Sequence, residues 1–563
     1  MKRANVVRIV ALAAAFLVLA TGAAEGREGS AVAAPGQAKV WFAPLPPLPT
    51  DEGRPFVGAP DFMQLFSRKA RWSTAAKRIS VFKLYGEWVH GTATDRQLRR
   101  VVDDLRRRKI ALALETGPLN PTAECGEGIE GFATVASGVE MARRIKAAGG
   151  VLRYIALDEP FFFASRYQGP RACRWDAERV ARDVATFVKA VRRVFPRVAV
   201  GDTEPITSAA DAAAYVQWLD TYRAVSGQRF AFLHLDMSYG LAGWEQMARE
   251  VELGARQRGV AAGVIVFGEP EDGTDAAWIA RARGRIERYE VDAGGMPDHV
   301  LFQSWQDRPD RTLPDGSPST FSGLVRAYAR PRTRLALALE PAGGRAVEAS
   351  GRLVTQQGRP IAGARIAVTA GLPVSGGDLL ALATVTATTN GRGAFSARVS
   401  GVPSSGFQID ARYDGSPGRW PAKASISEGS PLSNVALGRP ATAGAALPTN
   451  PPALAVDGDP ETTWIAGAGA PMWLEIDLGA AARVAEIRLR VAQTPSGGSA
   501  HRVLAHTASG WVPVADLVGE TSENQVLVAR PASPLEGVSA VRVETSQTPS
   551  WVAWREIEVI GSR

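Results

Sequence analysis

One recurrence constrains the fold of this chain more than any other feature. Between residues 39 and 330, short apolar, β-branched or aromatic runs return eight times: Val40–Phe42, Ile79–Phe82, Ile110–Leu114, Tyr154–Leu157, Val198–Val200, Phe230–Leu233, Gly263–Phe267 and Val300–Phe302. Runs that are continuously apolar, rather than alternating, mark strands buried on both faces of a parallel sheet. Helical patterns lie between them. Leu98, Val101, Val102 and Leu105 fall at i, i+3, i+4 and i+7 behind a possible N-cap, Thr94. Val180, Val184, Phe187, Val188, Val191 and Phe195 mark a second helix, from Asp176 to a stop at Pro196. Strand starts recur about every 30–40 residues, the length of a βα unit. Eight such units predict a (β/α)8 TIM barrel over 39–334. The alternative, an open doubly wound sheet, should carry a Gly-rich phosphate turn after its first strand, and the sequence has none.

The barrel leaves much of the 563 residues unassigned, and at about 100–200 residues per domain three or four domains are expected. Lys and Arg number 65 against 57 Asp and Glu, a net +8 with no basic block, which speaks against a nucleic-acid partner. Two Cys exclude a disulfide-built scaffold and a Cys-rich zinc module. Met1-Lys2-Arg3 and Arg8 precede an apolar run from Ile9 to Ala20, with Gly22 and Ala24 ahead of Glu25. This reads as a secretory signal peptide over 1–24, with a leader over 25–38; an uncleaved anchor is the alternative. No other stretch is apolar for 18 residues, so no membrane span is expected after signal removal. The expected location is secreted or periplasmic, in a bacterium. Export permits a disulfide, for which Cys125 and Cys173 are the only candidates; two free thiols are the alternative.

In a barrel, catalytic groups project from the C-terminal ends of the strands. Reading those ends gives Glu115, then Asp158-Glu159-Pro160, then Asp202 and Glu204, His234 and Asp236, Glu269, and finally Trp305. Paired carboxylates are what glycoside hydrolysis needs: one protonates the leaving oxygen, the other attacks the anomeric carbon or activates water. Trp305, Tyr239 or Trp88 would stack on sugar rings. No paired-His metal spacing, G-x-S-x-G or Walker loop is present, and no catalytic cofactor is expected. The plainer reading is that these carboxylates cap helices or pair with Arg. His234, inside an apolar run, reads as a core histidine.

Two further regions follow. Residues 335–427 show short alternating runs and turn signals such as Asn390-Gly391, predicting a small Ig-like β-sandwich. Ser350–Val354, Gly358–Ala364 and Thr389–Phe395 resemble carboxypeptidase-regulatory-like and transthyretin-like domains, which implies a spacer. A Gly/Ser/Pro linker over 428–433 leads into 434–563. Asn434–Thr442, Ala455–Trp464, Trp473–Gly479 and Arg555–Gly561 together resemble a discoidin domain, the coagulation factor V/VIII C-type fold shared with family 32 carbohydrate-binding modules. That resemblance implies a galactose-binding-like jelly-roll sandwich. It also implies a structural Ca²⁺ held by Asp457, Asp459 and Thr462, with Glu556 from the closing strand; hard oxygen donors suit that ion. A calcium-free turn is the alternative. Trp551 and Trp511 are the sugar-stacking candidates, and Trp464 and Trp473 are expected to be structural.

Strand placement adds one more resemblance. Glu159 after strand 4, Glu269 after strand 7 and Trp305 after strand 8 are similar to the pattern of clan A glycoside hydrolases. The resemblance implies Glu159 as acid/base, Glu269 as nucleophile and retention of configuration, with Trp305 flooring the sugar site; the rim residues Asp158, Glu204, Asp236 and Tyr239 are the other expected substrate-binding residues. Two departures stand out: Asp158 occupies the clan's Asn position, and its strand-2 Arg is missing, Lys83 being the nearest cation. The pair Asp202 and Glu204, resembling substrate-assisted chitinase-type sites, is a rival on strand 5. The expectation is a secreted glycoside hydrolase acting on a polysaccharide or glycoconjugate. The alternatives are a non-catalytic glycan-binding or adhesion protein with an inactive barrel, and an enzyme of exopolysaccharide assembly.

Overall fold

The computed structural model describes residues 38–48, 57–241, 243–375, 379–403, 405–460 and 462–563. The signal expected over 1–24 and all but the last residue of the leader lie outside the described residues. Eight strands, β1 (Lys39–Ala43), β2 (Ile79–Tyr85), β3 (Ala111–Thr116), β4 (Leu152–Asp158), β5 (Ala199–Ile206), β6 (Phe232–Met237), β7 (Ala261–Val266) and β8 (His299–Gln303), pair in parallel. β1 pairs with both β2 and β8, so the sheet closes into a barrel. The open-sheet alternative falls, because a closed sheet has no switch point between strands.

Helices α1 (Ser73–Ala76), α2 (Asp95–Arg108), α3 (Val135–Ala147), α4 (Ala177–Arg192), α5 (Ala209–Ser226), α6 (Trp244–Gln257), α7 (Asp275–Glu287) and α8 (Phe321–Tyr328) follow the strands. Their starts obey local chemistry. Thr94 Oγ1 accepts from the N–H of Gln97 at 3.2 Å, and Asp176 Oδ1 from that of Arg179 at 2.7 Å, so first-turn donors are satisfied. Inside the barrel, Trp41 packs on His234 with ring centroids 4.8 Å apart, and His234 Nε2 lies 3.0 Å from His299 Nδ1. Burial holds both imidazoles well below their usual range, His299 at about 3. His234 is therefore a core residue.

The next seven strands form a sandwich of two sheets. One is ordered β13 (Ala394–Ser400), β10 (Ala346–Thr355), β9 (Thr333–Pro341); the other β12 (Leu379–Thr388), β11 (Arg365–Pro373), β14 (Phe407–Tyr413), β15 (Ala422–Glu428). It packs on the barrel: Trp420 joins the barrel's apolar core, Arg332 lies 4.3 Å from its ring, and Arg412 pairs with Asp292. The segment after β15 is anchored, since Leu432 and Pro373–Ser375 exchange two backbone hydrogen bonds of 2.6 Å.

A second β-sandwich completes the chain. Its strands are β16 (Ser433–Asn434), β17 (Ala441–Ala443), β18 (Trp464–Ile465), β19 (Met472–Val491), β20 (Gly497–Thr507), β21 (Gly510–Thr521), β22 (Val526–Ala529), β23 (Leu535–Gln547) and β24 (Ala553–Ser562). β19 breaks register between Asp477 and Ala482. Its first part pairs with β17 and β23 and its second with β22 and β24, wrapping the strands around one core. Trp464 and Trp554 fill that core.

Candidate active site

A cleft of about 1120 Å³ opens at the C-terminal ends of the barrel strands. Its floor is a charged network. Lys83 of β2, fully buried, donates to Glu115 of β3 and, at 2.5 Å, to Gln303 Oε1 of β8. A buried ammonium is tolerated only with such partners.

Glu159 follows β4 and lines the cleft, 7% exposed. Its φ is +49°, although a residue before proline is normally extended. Such a left-handed backbone costs about 1–3 kcal/mol and persists only where neighbours impose it. Here Glu204 of β5 imposes it. Its two oxygens accept the N–H groups of Phe161 (2.8 Å) and Phe162 (2.9 Å), while Glu159 N–H donates to Thr203 O at 3.1 Å. Burial raises the Glu159 carboxyl well above the usual range, and Asp236, Glu130, Asp158 and Glu204 reinforce the shift.

Asp158 and Asp236 line the same cleft, at the ends of β4 and β6. Burial pushes Asp158 well up and Asp236 to about 7, with Glu130 among the charges raising both. Among the described residues, no hydrogen bond or ion pair holds the carboxyl of Asp158, Glu159 or Asp236. Glu269, beyond β7, differs: Arg285 of α7 pairs with it, donates to Phe267 O and Gly268 O, and lies 4.1 Å from the Tyr239 ring. Trp305 walls the cleft against Phe267, at 4.7 Å and 40% exposed.

Three sequence expectations are corrected. Glu204 does not face the cleft; it is buried behind it, with both oxygens engaged by backbone, and so acts as a positioning residue for Glu159 rather than a substrate contact. Its neighbour Asp202 is also fully buried, accepting from Trp218 Nε1 at 2.6 Å, which removes the strand-5 pair as a rival site. Trp88 is likewise interior, packed edge-on against Phe62 at 5.3 Å, so it offers no sugar platform.

Glu87 and Glu130 also line the cleft and escaped the sequence reading because neither ends a strand. Glu130 sits on the loop after β3, which the Cys125–Cys173 disulfide joins to the loop after β4. A bond between the two loops was the sequence expectation, and it is present. A Cβ at Gly131 would stand 3.2 Å from Asp158 O and 3.3 Å from Glu159 O, so the absent side chain lets the Glu130 loop close against the Glu159 turn.

In the C-terminal sandwich, Asp457, Asp459, Thr462 and Glu556 come together. Thr462 Oγ1 lies 2.9 Å from Asp457 Oδ2, 3.0 Å from Asp459 O and 3.1 Å from Leu454 O. Glu556 Oε2 accepts from Gly458 N–H at 3.3 Å, but its buried Oε1 has no partner, and burial raises the group to about 8. Hard oxygens around an orphaned carboxylate atom are the donor type that Ca²⁺ takes, although the described carboxylates as they stand are not arranged around a common metal position. Trp551, 55% exposed, borders a hollow of about 660 Å³ with Gln493, Thr494 and Arg555. Trp511 is not at that hollow; it lies 4.8 Å from Arg542. Trp464 is core, and Trp473 is partly buried beside Arg542 at 5.0 Å.

Residues 440–557 match the family model of the F5/8 type C domain, in line with the discoidin resemblance of that segment. Among curated proteins, none matches this chain. Solved structures similar to part of it include the family 32 carbohydrate-binding module of C. perfringens NanJ in complex with galactose, at 20% identity over 22% of this chain and 93% of that one, TM-score 0.20. A second C. perfringens module, in complex with GlcNAc-α-1,4-galactose, is 20% identical over 23% and 96%, TM-score 0.21. Chitosan-binding module 1 of a Paenibacillus chitosanase/glucanase is 23% identical over 22% and 97%, TM-score 0.19.

Proposed function

We propose that the chain is an exported glycoside hydrolase whose barrel cleaves a polysaccharide and whose F5/8 type C domain holds it on glycan. The observation that carries this reading is Glu159: a buried carboxyl, raised above its usual range and with no hydrogen-bond partner among the described residues, facing an open, carboxylate-lined cleft with an aromatic wall. A carboxyl kept protonated above its ordinary range donates a proton at neutral pH. Glu159 gives its proton to the glycosidic oxygen as the Glu269 carboxylate attacks the anomeric carbon, expelling the leaving sugar and forming a glycosyl ester. Glu159 then takes a proton from water, whose oxygen attacks the same carbon and releases Glu269. The net change is one glycosidic bond and one water consumed, with retention.

A second reading gives the partner role to Asp236. It is favoured by the Arg285 pair that engages Glu269, and by Asp236 being the charge that acts most strongly on Glu159. In the C-terminal domain, Asp457, Asp459, Thr462 and Glu556 would hold a structural Ca²⁺, which neutralises buried charge, and Trp551 would stack on sugar. Attachment through this domain raises the effective substrate concentration at the barrel. The disulfide supports an oxidising destination.

Wild type, Glu159→Gln and Glu269→Gln are incubated with a polysaccharide panel, and reducing ends are measured. Release by wild type alone is expected. Release by neither wild type nor variant, with glycan still bound, would leave a binding protein with an inactive barrel.

A further inference from the structure

The charge of the cleft does not belong to the charge of the chain. The sequence carries a net +8, yet the described residues lining the cleft include seven carboxylates and no Lys or Arg. The two cations that reach this region from behind are already engaged, Lys83 by Glu115 and Gln303, and Arg285 by Glu269 and two carbonyls. Five acidic groups, Glu87, Glu130, Asp158, Glu159 and Asp236, have no ion pair among the described residues. Of these Glu159 is more than nine-tenths buried and faces the cavity without a hydrogen-bond partner.

Crowding like charges in a sheltered cleft is unfavourable unless the groups take up protons or a cation joins them, and a cation that joins them draws those protons off again. A metal ion is the first possibility, but no three of the described His, Cys, Asp or Glu are arranged to hold one. The charge is instead spread between groups on the β2, β3, β4 and β6 sides of the opening. Cations spaced along a chain suit such a distribution better than one point charge. Trp305 supplies a flat apolar face beside it.

We infer that the cleft takes a polysaccharide bearing free amino groups, whose ammonium charges are met by Glu87, Glu130, Asp158 and Asp236. This rests on the hydrolase reading and names its substrate class. Neutral sugars would leave the carboxylates unmet, and uronic acids would be repelled.

The test is titration calorimetry on the full chain with five probes: hexamers of β-1,4-glucosamine and α-1,4-galactosamine, their N-acetylated forms, and hexagalacturonate. We expect at least one cationic hexamer to bind about tenfold tighter than its N-acetylated form, and to lose about tenfold in affinity from low to high salt. The double variant Glu87→Gln/Glu130→Gln should weaken it at least fivefold. Equal affinity for the N-acetylated or uronate probe, no binding of either cationic hexamer, or indifference to the double variant overturns the inference. The two readings fail separately. Cationic hexamers bound through the cleft but never cleaved leave this inference standing and end the hydrolase reading. Glu159-dependent cleavage of a neutral or acidic glycan does the reverse.

Discussion

On the sheets of the C-terminal sandwich, acidic side chains are met by guanidinium groups: Glu486 by Arg488 and Arg530, Glu475 by Arg542, and Asp516 by Arg502. At the barrel mouth Glu87, Glu130, Asp158, Glu159 and Asp236 have no ion pair among the described residues, and burial drives Asp158, Glu159 and Asp236 toward their protonated forms. The contrast is a matter of placement, because Arg is abundant in both regions. Where a carboxylate has only a structural task, a neighbour on the sheet neutralises it. Where none does, the missing partner has to come from outside. The exception in the sandwich has the same logic, since Glu556 keeps a buried oxygen with no partner beside the Asp457 loop.

The largest effect should separate the two candidate partners of Glu159. Against a cleaved polysaccharide, Glu269→Gln is expected to lower kcat about 10³-fold with little change in thermal stability. A loss of that size in Asp236→Asn, with Glu269→Gln nearly active, would transfer the role to Asp236.

The next test concerns the covalent tie that only the barrel mouth possesses. Replacing Cys125 and Cys173 by Ser frees a sequence separation of 48, for which loop-closure entropy gives a loss of roughly 4 kcal/mol. Denaturant unfolding should show it in the barrel, with the C-terminal sandwich unaffected. Equal loss in both would mean that the regions unfold as one.

Calcium should stabilise the sandwich instead. At about 100 times Kd, Ca²⁺ should add about 2.7 kcal/mol, a chelator should remove it, and Glu556→Gln should abolish the response. A Tm indifferent to Ca²⁺ and chelator would mark a metal-free turn. Trp551→Ala should reduce retention on immobilised glycan by about 1 kcal/mol, leaving hydrolysis of short soluble substrates unchanged.

The smallest expected effect is a pH slope. Asp202 and Asp236, raised to about 7, and Glu556, raised to about 8, bind more protons folded than unfolded, so stability should rise as pH falls from about 8.5 to 6.5. Below about 6.5 the buried imidazoles oppose this, because His299 and His501, held at about 3 and about 4, take up protons only on unfolding. Asp236→Asn should flatten the upper limb in the barrel, and Ca²⁺ should flatten it in the sandwich. A Tm that climbs steadily to pH 8.5 would contradict the buried-carboxyl picture.

Much of this architecture was legible beforehand. All eight strands fell on continuous apolar runs, because a strand covered on both faces has no other composition available to it. The cysteines were legible because two thiols in neighbouring loops have few partners. Glu204 was misread for a definite reason. A residue near a strand end points into the cleft or away from it according to its phase, and strand 5 turns Glu204 toward the backbone of the turn that follows β4. Glu130 was invisible because loops carry no period, and what brings it to the cleft is a cross-link and a missing side chain at Gly131. Glu87 was missed although it lies in the helical turn two residues past β2. Trp88 was misread because aromatic residues serve cores and sugar platforms alike.

The bridge from Cys125 to Cys173 also imposes an order of events. Hydrogen bonds and apolar packing close the barrel without an oxidant, and hydrogen bonds such as Gly126 N–H to Arg171 O already hold the loop bearing Glu130, but its covalent tie forms only when two thiols are oxidised. A chain still in a reducing compartment would carry a finished scaffold and an unfinished mouth. On the reading that the protein is exported, its most acidic surface would thus gain its covalent tie last, after the scaffold is complete.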